Sequence, residues 1–144
     1  LNAAPLVTIQ NPYSLLNRGL EKEMFPMLRE TGTGMMAYSP LAAGLLTGTA
    51  APPVVARTKS NQDLNNLIEK TRRPLLNISQ ETGYTIPQIA IAWILSKPEV
   101  SAVITGSDTQ QQVEENVASL KAEIPPETLE NLDEISKNAE GVFD

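Results

Sequence analysis

The chain has 144 residues, 41% hydrophobic and 19% charged, enough for one compact domain with a core and too apolar for a disordered segment. Its net charge is −6 and the pair Arg72-Arg73 is the nearest approach to a basic run, so a nucleic-acid backbone is repelled and nucleic acid is excluded as a partner. It contains no cysteine and no histidine, which removes disulfides, thiolate zinc sites, imidazole bases and serine–histidine–aspartate triads, and no metal site is expected.

The chain opens on Leu1-Asn2-Ala3-Ala4, with no basic stretch ahead of an apolar one, and therefore does not read as a signal peptide. With no initiator Met at this end, the expectation is a cytoplasmic protein whose chain has been cut or processed. No apolar run approaches the ~18 residues of a membrane span, so no membrane partner is expected. The first apolar run, Leu6-Val7-Thr8-Ile9, predicts a strand ending in Gln10-Asn11-Pro12-Tyr13. Leu20, Met24, Met27 and Leu28 then recur at helical spacing, with Thr31-Gly32 as a stop. Gly34-Met35-Met36-Ala37-Tyr38 predicts a second strand, ending in Ser39-Pro40.

A long connection containing Pro52-Pro53 leads to helical periodicity from Leu64 to about Thr82. Pro74 falls within it and predicts a kink or restart, because proline lacks the backbone donor and crowds the preceding turn. Gly83 ends this helix, and Thr85 caps the next, apolar one through Ile86-Pro87, Ile89, Ala90, Trp93, Ile94 and Leu95. The third strand is Ser101-Ala102-Val103-Ile104, ending in Thr105-Gly106-Ser107. A helix from Thr109 as N-cap to Leu120, and another from about Pro126 to Lys137, complete the chain.

Strands alternating with helices over such long connections imply parallel pairing through crossovers, and buried parallel strands read as short continuous apolar runs. The fold class is therefore α/β, in a single unit over residues 1–144. Three strands do not close a barrel, and the pattern fits either a small open α/β domain or part of a larger barrel.

Ligands of parallel α/β folds sit at the C-terminal ends of strands. Gln10-Asn11-Pro12-Tyr13, Tyr38-Ser39-Pro40-Leu41 and Gly106-Ser107-Asp108 fall at three such ends and point to one shared site. A strand–glycine–helix junction aims free N–H groups and a helix dipole at whatever lies above it, which suits a phosphate. Gln112, Glu115 and Asn116 share one face of the following helix and have the donors and acceptors for an adenine or ribose; a solvated polar face has the same spacing.

The segments Gln10-Asn11-Pro12-Tyr13-Ser14-Leu15-Leu16-Asn17-Arg18 and Ala37-Tyr38-Ser39-Pro40-Leu41-Ala42-Ala43-Gly44-Leu45-Leu46-Thr47-Gly48 resemble the sixth and seventh strand regions of aldo-keto reductases. Ile104-Thr105-Gly106-Ser107 through Gln112-Val113-Glu114-Glu115-Asn116 resembles that family's eighth-strand cofactor motif. Ile89-Ala90-Ile91-Ala92-Trp93-Ile94-Leu95 is similar to the helix before it, and the nearest subgroup is the bacterial reductases with the potassium-channel beta subunits. The resemblance implies the C-terminal part, about strands 6–8 with their helices, of a (β/α)₈ TIM barrel that reduces aldehydes and ketones with NADPH, NADH being the alternative cofactor.

Carried over residue by residue, it implies that Gln10 hydrogen-bonds the nicotinamide carboxamide and Tyr38 stacks on the nicotinamide ring. Ser39, Pro40, Leu41 and Ala43 would line the pyrophosphate passage, with Gly106 and Ser107 at the phosphate end. Gln112, Glu115 and Asn116 would hold the adenosine half; Arg57 would reach the 2′-phosphate, or be a plain surface arginine. Two positions depart from the family pattern. Asp108 stands where relatives often carry serine or arginine, and Thr49 where they often carry lysine, so the preference for a 2′-phosphate is in doubt.

The family's aspartate, tyrosine, lysine and histidine belong to its first four strand regions, and none of Tyr13, Tyr38 and Tyr84 matches the acid's motif. No catalytic residue is therefore expected in this chain. Two readings follow: the cofactor-binding portion of an NAD(P)H-dependent oxidoreductase whose other partners are a small carbonyl substrate and the N-terminal part of the barrel, or a noncatalytic cofactor-sensing or assembly module of the same family.

Overall fold

The computed structural model describes residues 4–50 and 62–139. In chain order these form β1 (Thr8–Pro12), a 3₁₀ turn (Gly19–Glu21), α1 (Met24–Thr31), β2 (Gly34–Tyr38), α2 (Gln62–Thr82), α3 (Ile86–Leu95), β3 (Val100–Ile104), α4 (Gln110–Ala118), a second 3₁₀ turn (Ser119–Lys121) and α5 (Pro126–Ser136). The strands lie parallel in the order β1-β2-β3. Gln10 is opposite Met36, Pro12 opposite Tyr38, and Tyr38 opposite Ile104.

The register of β2 and β3 slips between Met35 and Met36. Gly34 makes room for this, because the Ser101 side chain occupies the space that a side chain at 34 would fill. The first strand begins at Thr8 rather than Leu6. Leu6 and Val7 stay exposed and are held through their carbonyls, by the Thr33 hydroxyl (3.0 Å) and the Gly34 amide (3.0 Å).

Alternation along the strands divides the sheet. Met35 and Ala37 are buried against the helices, with Ile9, Val100 and Val103 partly buried beside them. Gln10, Tyr38, Ala102 and Ile104 lie on the opposite, exposed face. The helices α1 to α3 owe their limits to local chemistry. Gly32 ends α1 in the left-handed conformation (φ 65°), so that the Leu28 carbonyl accepts from the amides of Gly32 and Thr33. Thr85 and Gln88 form a reciprocal capping box at the start of α3. Pro74 does not break α2. It forfeits one intrahelical bond, but Ile68, Thr71, Leu75 and Ile78 keep one continuous buried face on both sides of it.

Trp93, fully buried on α3, is the centre of the core. Tyr13 stacks on it at 5.3 Å with an interplanar angle of 18°. Around this pair lies a charged network. Arg18 donates to both Glu21 carboxylate oxygens (2.6 and 2.7 Å), to the Asp133 carbonyl (2.5 Å) and to the Ser136 hydroxyl (2.9 Å). Asp133 accepts from the Trp93 indole (3.0 Å) and from Lys97 (2.5 Å). The Tyr13 hydroxyl donates to Glu21 at 2.5 Å. Burial, then that bond to a carboxylate, raise the Tyr13 pKa well above its ordinary range. Burial acts to lower the Arg18 pKa, but the Glu21 hydrogen bond and the surrounding negative charge outweigh it and the value rises. Arg18 thereby ties the β1–α1 connection to α5, 115 residues away.

Candidate functional site

Beyond the C-terminal ends of β2 and β3 lies an open-sided cavity of about 950 Å³, within the size range of small-molecule and cofactor sites. One wall is the segment after β2. Tyr38 closes the strand on the open face, the residue 36% exposed. Ser39 (φ 56°), Ala42 (φ 49°) and Ala43 (φ 52°) then adopt left-handed backbone without being glycine, a cost of about 1–3 kcal/mol each. Packing holds them there: Ala42, Leu45 and Leu46 are buried, and the Ser39, Leu41 and Ala42 carbonyls accept from Ala42, Gly44 and Leu45 at 3.0–3.1 Å. The turn thus presents Ser39, Pro40, Leu41 and Ala43 to the cavity. Thr47 and Thr49, with hydroxyls 2.7 Å apart, extend the wall.

The facing wall is the β3–α4 junction. Thr109 caps α4 by accepting from the Gln112 amide at 3.2 Å, and the Gln112 side chain accepts from the Asp108 amide at 2.7 Å. Asn116 donates to the Ser107 hydroxyl at 3.0 Å. These bonds give the junction a fixed shape. Gly106 has open space where a side chain would project, so its backbone is accessible from the cavity. The rest of the lining comes from Ser79 on α2 and from Thr85, Ile86 and Pro87 at the head of α3.

Eleven predicted site residues line this one cavity: Tyr38, Ser39, Pro40, Leu41, Ala43, Gly106, Ser107, Asp108, Gln112, Glu115 and Asn116. Gln10 does not. It is exposed on the open sheet face opposite Met36, two residues down β2 from Tyr38. Arg57 lies outside the described residues. Of the three strand ends expected to share one site, those of β2 and β3 line the cavity and that of β1 does not. Tyr13 turns into the helix-side core, and only its amide reaches the site's frame by donating to the Tyr38 carbonyl at 3.1 Å. Ser79 and Pro87 were not foreseen as lining residues, since only tertiary packing of α2 and α3 brings them to the cavity. Among the described residues no group of acidic side chains is arranged to hold a metal ion. No described helix is long and apolar enough to cross a membrane.

A parallel sheet backed by helices on one face and open on the other, with a cavity at its strand ends, defines an α/β architecture. The aldo/keto reductase family model matches residues 2–137, and the chain belongs to that family. It is 38% identical over 134 residues to "Uncharacterized oxidoreductase YrpG" of Bacillus subtilis (strain 168), covering 90% of this chain and 40% of that protein. It is 36% identical over 129 residues to the "NADH-specific methylglyoxal reductase" of Escherichia coli (strain K12), covering 83% of this chain and 39% of that protein. To a "Probable voltage-gated potassium channel subunit beta" of Oryza sativa subsp. japonica it is 38% identical over 137 residues, covering 88% and 42%. The chain therefore spans about two fifths of the length of these relatives, and its parallel sheet with helices fits a fragment of the family's barrel.

Proposed function

We propose that this chain is the C-terminal, cofactor-holding part of a nicotinamide-dependent carbonyl reductase, comprising about strands 6–8 of its barrel. The observation that carries the reading is the single cavity at the ends of β2 and β3, walled by an exposed tyrosine ring on one side and a capped strand–glycine–helix junction on the other. An aromatic ring presents a flat apolar face for stacking, and an accessible Gly106 backbone beside a helix start suits a phosphate. The cavity volume is of the order such a ligand needs.

In this reading Tyr38 stacks on the nicotinamide, and Gln10, on the same sheet face, bonds its carboxamide. Ser39, Pro40, Leu41 and Ala43 flank the pyrophosphate, Gly106 and Ser107 receive it, and Gln112, Glu115 and Asn116 hold the adenosine. A reduced nicotinamide held by these residues would supply a hydride for the carbonyl carbon of a small aldehyde or ketone. The proton for the carbonyl oxygen comes from outside this chain, from the part of the barrel that precedes it. Two relatives are named as an oxidoreductase and a methylglyoxal reductase, in keeping with this chemistry.

The test is the consumption of NADH or NADPH by the intact protein with a panel of small aldehydes. Aldehyde-dependent consumption, abolished when the cavity is altered at Tyr38, is expected. Saturable binding of the dinucleotide with no consumption for any aldehyde would replace this reading with a noncatalytic sensing or assembly module.

A further inference from the structure

We propose that Arg72, on α2, is a positioning residue for the cavity. Its guanidinium holds the Thr47–Thr49 part of the wall in the shape that receives the dinucleotide, acting through Gly48 and not by touching the ligand. The inference rests on the reading of the cavity as a nicotinamide dinucleotide site and adds to it a residue behind the wall. Thr47 and Thr49 line the cavity, and Arg72 does not. A methyl built on Gly48 would lie 2.7 Å from Arg72 Nη2, 2.9 Å from Cζ and 3.4 Å from Nε, so the guanidinium fills the space on that side of the Gly48 backbone.

Within itself this stretch of wall is closed at Gly44, whose carbonyl accepts from the Thr49 amide (3.0 Å) and the Thr47 hydroxyl (3.1 Å). Gly48 has φ 79°, a left-handed backbone that any other residue would strain, and a side chain here would also collide with the guanidinium. Arg72 and Ser79 are nearly two turns apart on α2 and so share one face of that helix. Ser79 lines the cavity, so this face of α2 runs along the wall, with Ser79 at the cavity and Arg72 at the Gly48 turn.

A purely structural role fits these contacts less well. The ion pair of Arg72 with Glu69, 3.6 Å away on the same helix, has an exposed carboxylate and contributes little. The Arg72 side chain is itself 32% exposed, and its loss leaves the buried face of α2 in place. What it decides is the local order of the wall. That wall carries Ser39, Ala42 and Ala43 in left-handed backbone, which persists only while its surroundings hold it. Freed from Arg72, the Gly48 turn has more conformations to lose when a ligand binds, and affinity falls accordingly.

The experiment is calorimetric titration of the intact protein with NADH and with NADPH, for the parent, R72A, R72K, G48A and the double variant R72A/G48A, beside urea midpoints of each. R72A is expected to bind about fivefold more weakly, with its midpoint close to the parent's. R72K keeps the charge but not the planar group, and should weaken as R72A does. The loss should be the same at low and high salt, because Arg72 does not meet the phosphates of the ligand. In the double variant the two losses should not multiply: with the guanidinium gone, the methyl of G48A no longer collides, and binding is little worse than in G48A alone. Parent-like affinity in R72A, full retention in R72K, a loss that high salt erases, or losses that multiply in the double variant would each overturn the inference while leaving the dinucleotide site standing. Binding of neither dinucleotide to the folded parent overturns the dinucleotide reading and this inference with it.

Discussion

Replacing Arg18 with methionine is the sharpest test of how the fold is held. The substitution keeps most of the apolar stem and deletes the guanidinium, whose central carbon lies 5.3 Å from the centre of the Trp93 ring. It removes both bonds to Glu21, the bonds to the Asp133 carbonyl and Ser136 hydroxyl, and the ion pair with the Asp133 carboxylate at 3.2 Å. Breaking a buried pair by removing one partner costs about 3–5 kcal/mol. Glu21 and Asp133 are 27% and 34% exposed, so the orphaned carboxylates keep some water, and Asp133 retains Lys97 and the Trp93 indole. The expected loss is therefore about 3 kcal/mol, at the lower end of that range. It is read from urea unfolding midpoints of the intact protein. A double-mutant cycle with D133N should return a coupling of about 1 kcal/mol or more. Arg18→Met within about 0.5 kcal/mol of the parent, or strict additivity in the cycle, would refute the argument.

Three further outcomes follow from single features. The folded-state pKa of Tyr13 is raised above its ordinary value of 10.0, so the unfolded chain surrenders that proton first. The contribution to stability is intact below pH 10 and falls as pH rises beyond it, and Tyr13→Phe should flatten that alkaline loss; identical slopes in parent and variant would contradict it. Thr85→Ala removes half of the α3 capping box and should cost about 1 kcal/mol by urea midpoint, with no loss counting against the cap's role. Gly32 and Gly44 both have positive φ, but a methyl at 44 would lie 2.8 Å from the Ala50 amide nitrogen whereas 32 is open. Gly32→Ala should cost about 1 kcal/mol and Gly44→Ala clearly more, and the reverse order would show the Ser39–Thr49 wall to be looser than described.

Much of the local structure was legible because it depends on neighbours in sequence. The second strand runs Gly34–Tyr38 as its apolar pattern suggests, and Thr85 and Thr109 cap the helices they precede. The β1 boundary shifted because Leu6 and Val7, though apolar, are held at their carbonyls outside the ladder. The helix does not restart at Pro74, whose effect on a helix is local, because the buried face of Ile68, Thr71, Leu75 and Ile78 continues past it and is a tertiary fact. The same distinction applies to the site. Tyr38, Ser39, Gly106 and Gln112 stand in motifs whose spacing marks them, and the cavity gathers them. Tyr13 stands in an equally suggestive strand end, yet Trp93 and Glu21 draw it into the core. The Arg18–Asp133 pair left no trace in composition or periodicity, since its partners are 115 residues apart.

The central claim is that the cavity holds a nicotinamide dinucleotide against Tyr38, and calorimetric titration of the intact protein and its Tyr38→Ala variant with NADH tests it most directly. Tyr38 is 36% exposed and lies outside the buried core, so its removal leaves the core in place while deleting the stacking surface. The account predicts saturable binding at one site per chain and a loss of about tenfold in affinity in the variant, as one aromatic stack of roughly 1 kcal/mol or more supplies. No binding by the parent protein, or equal affinity in parent and variant, would contradict it.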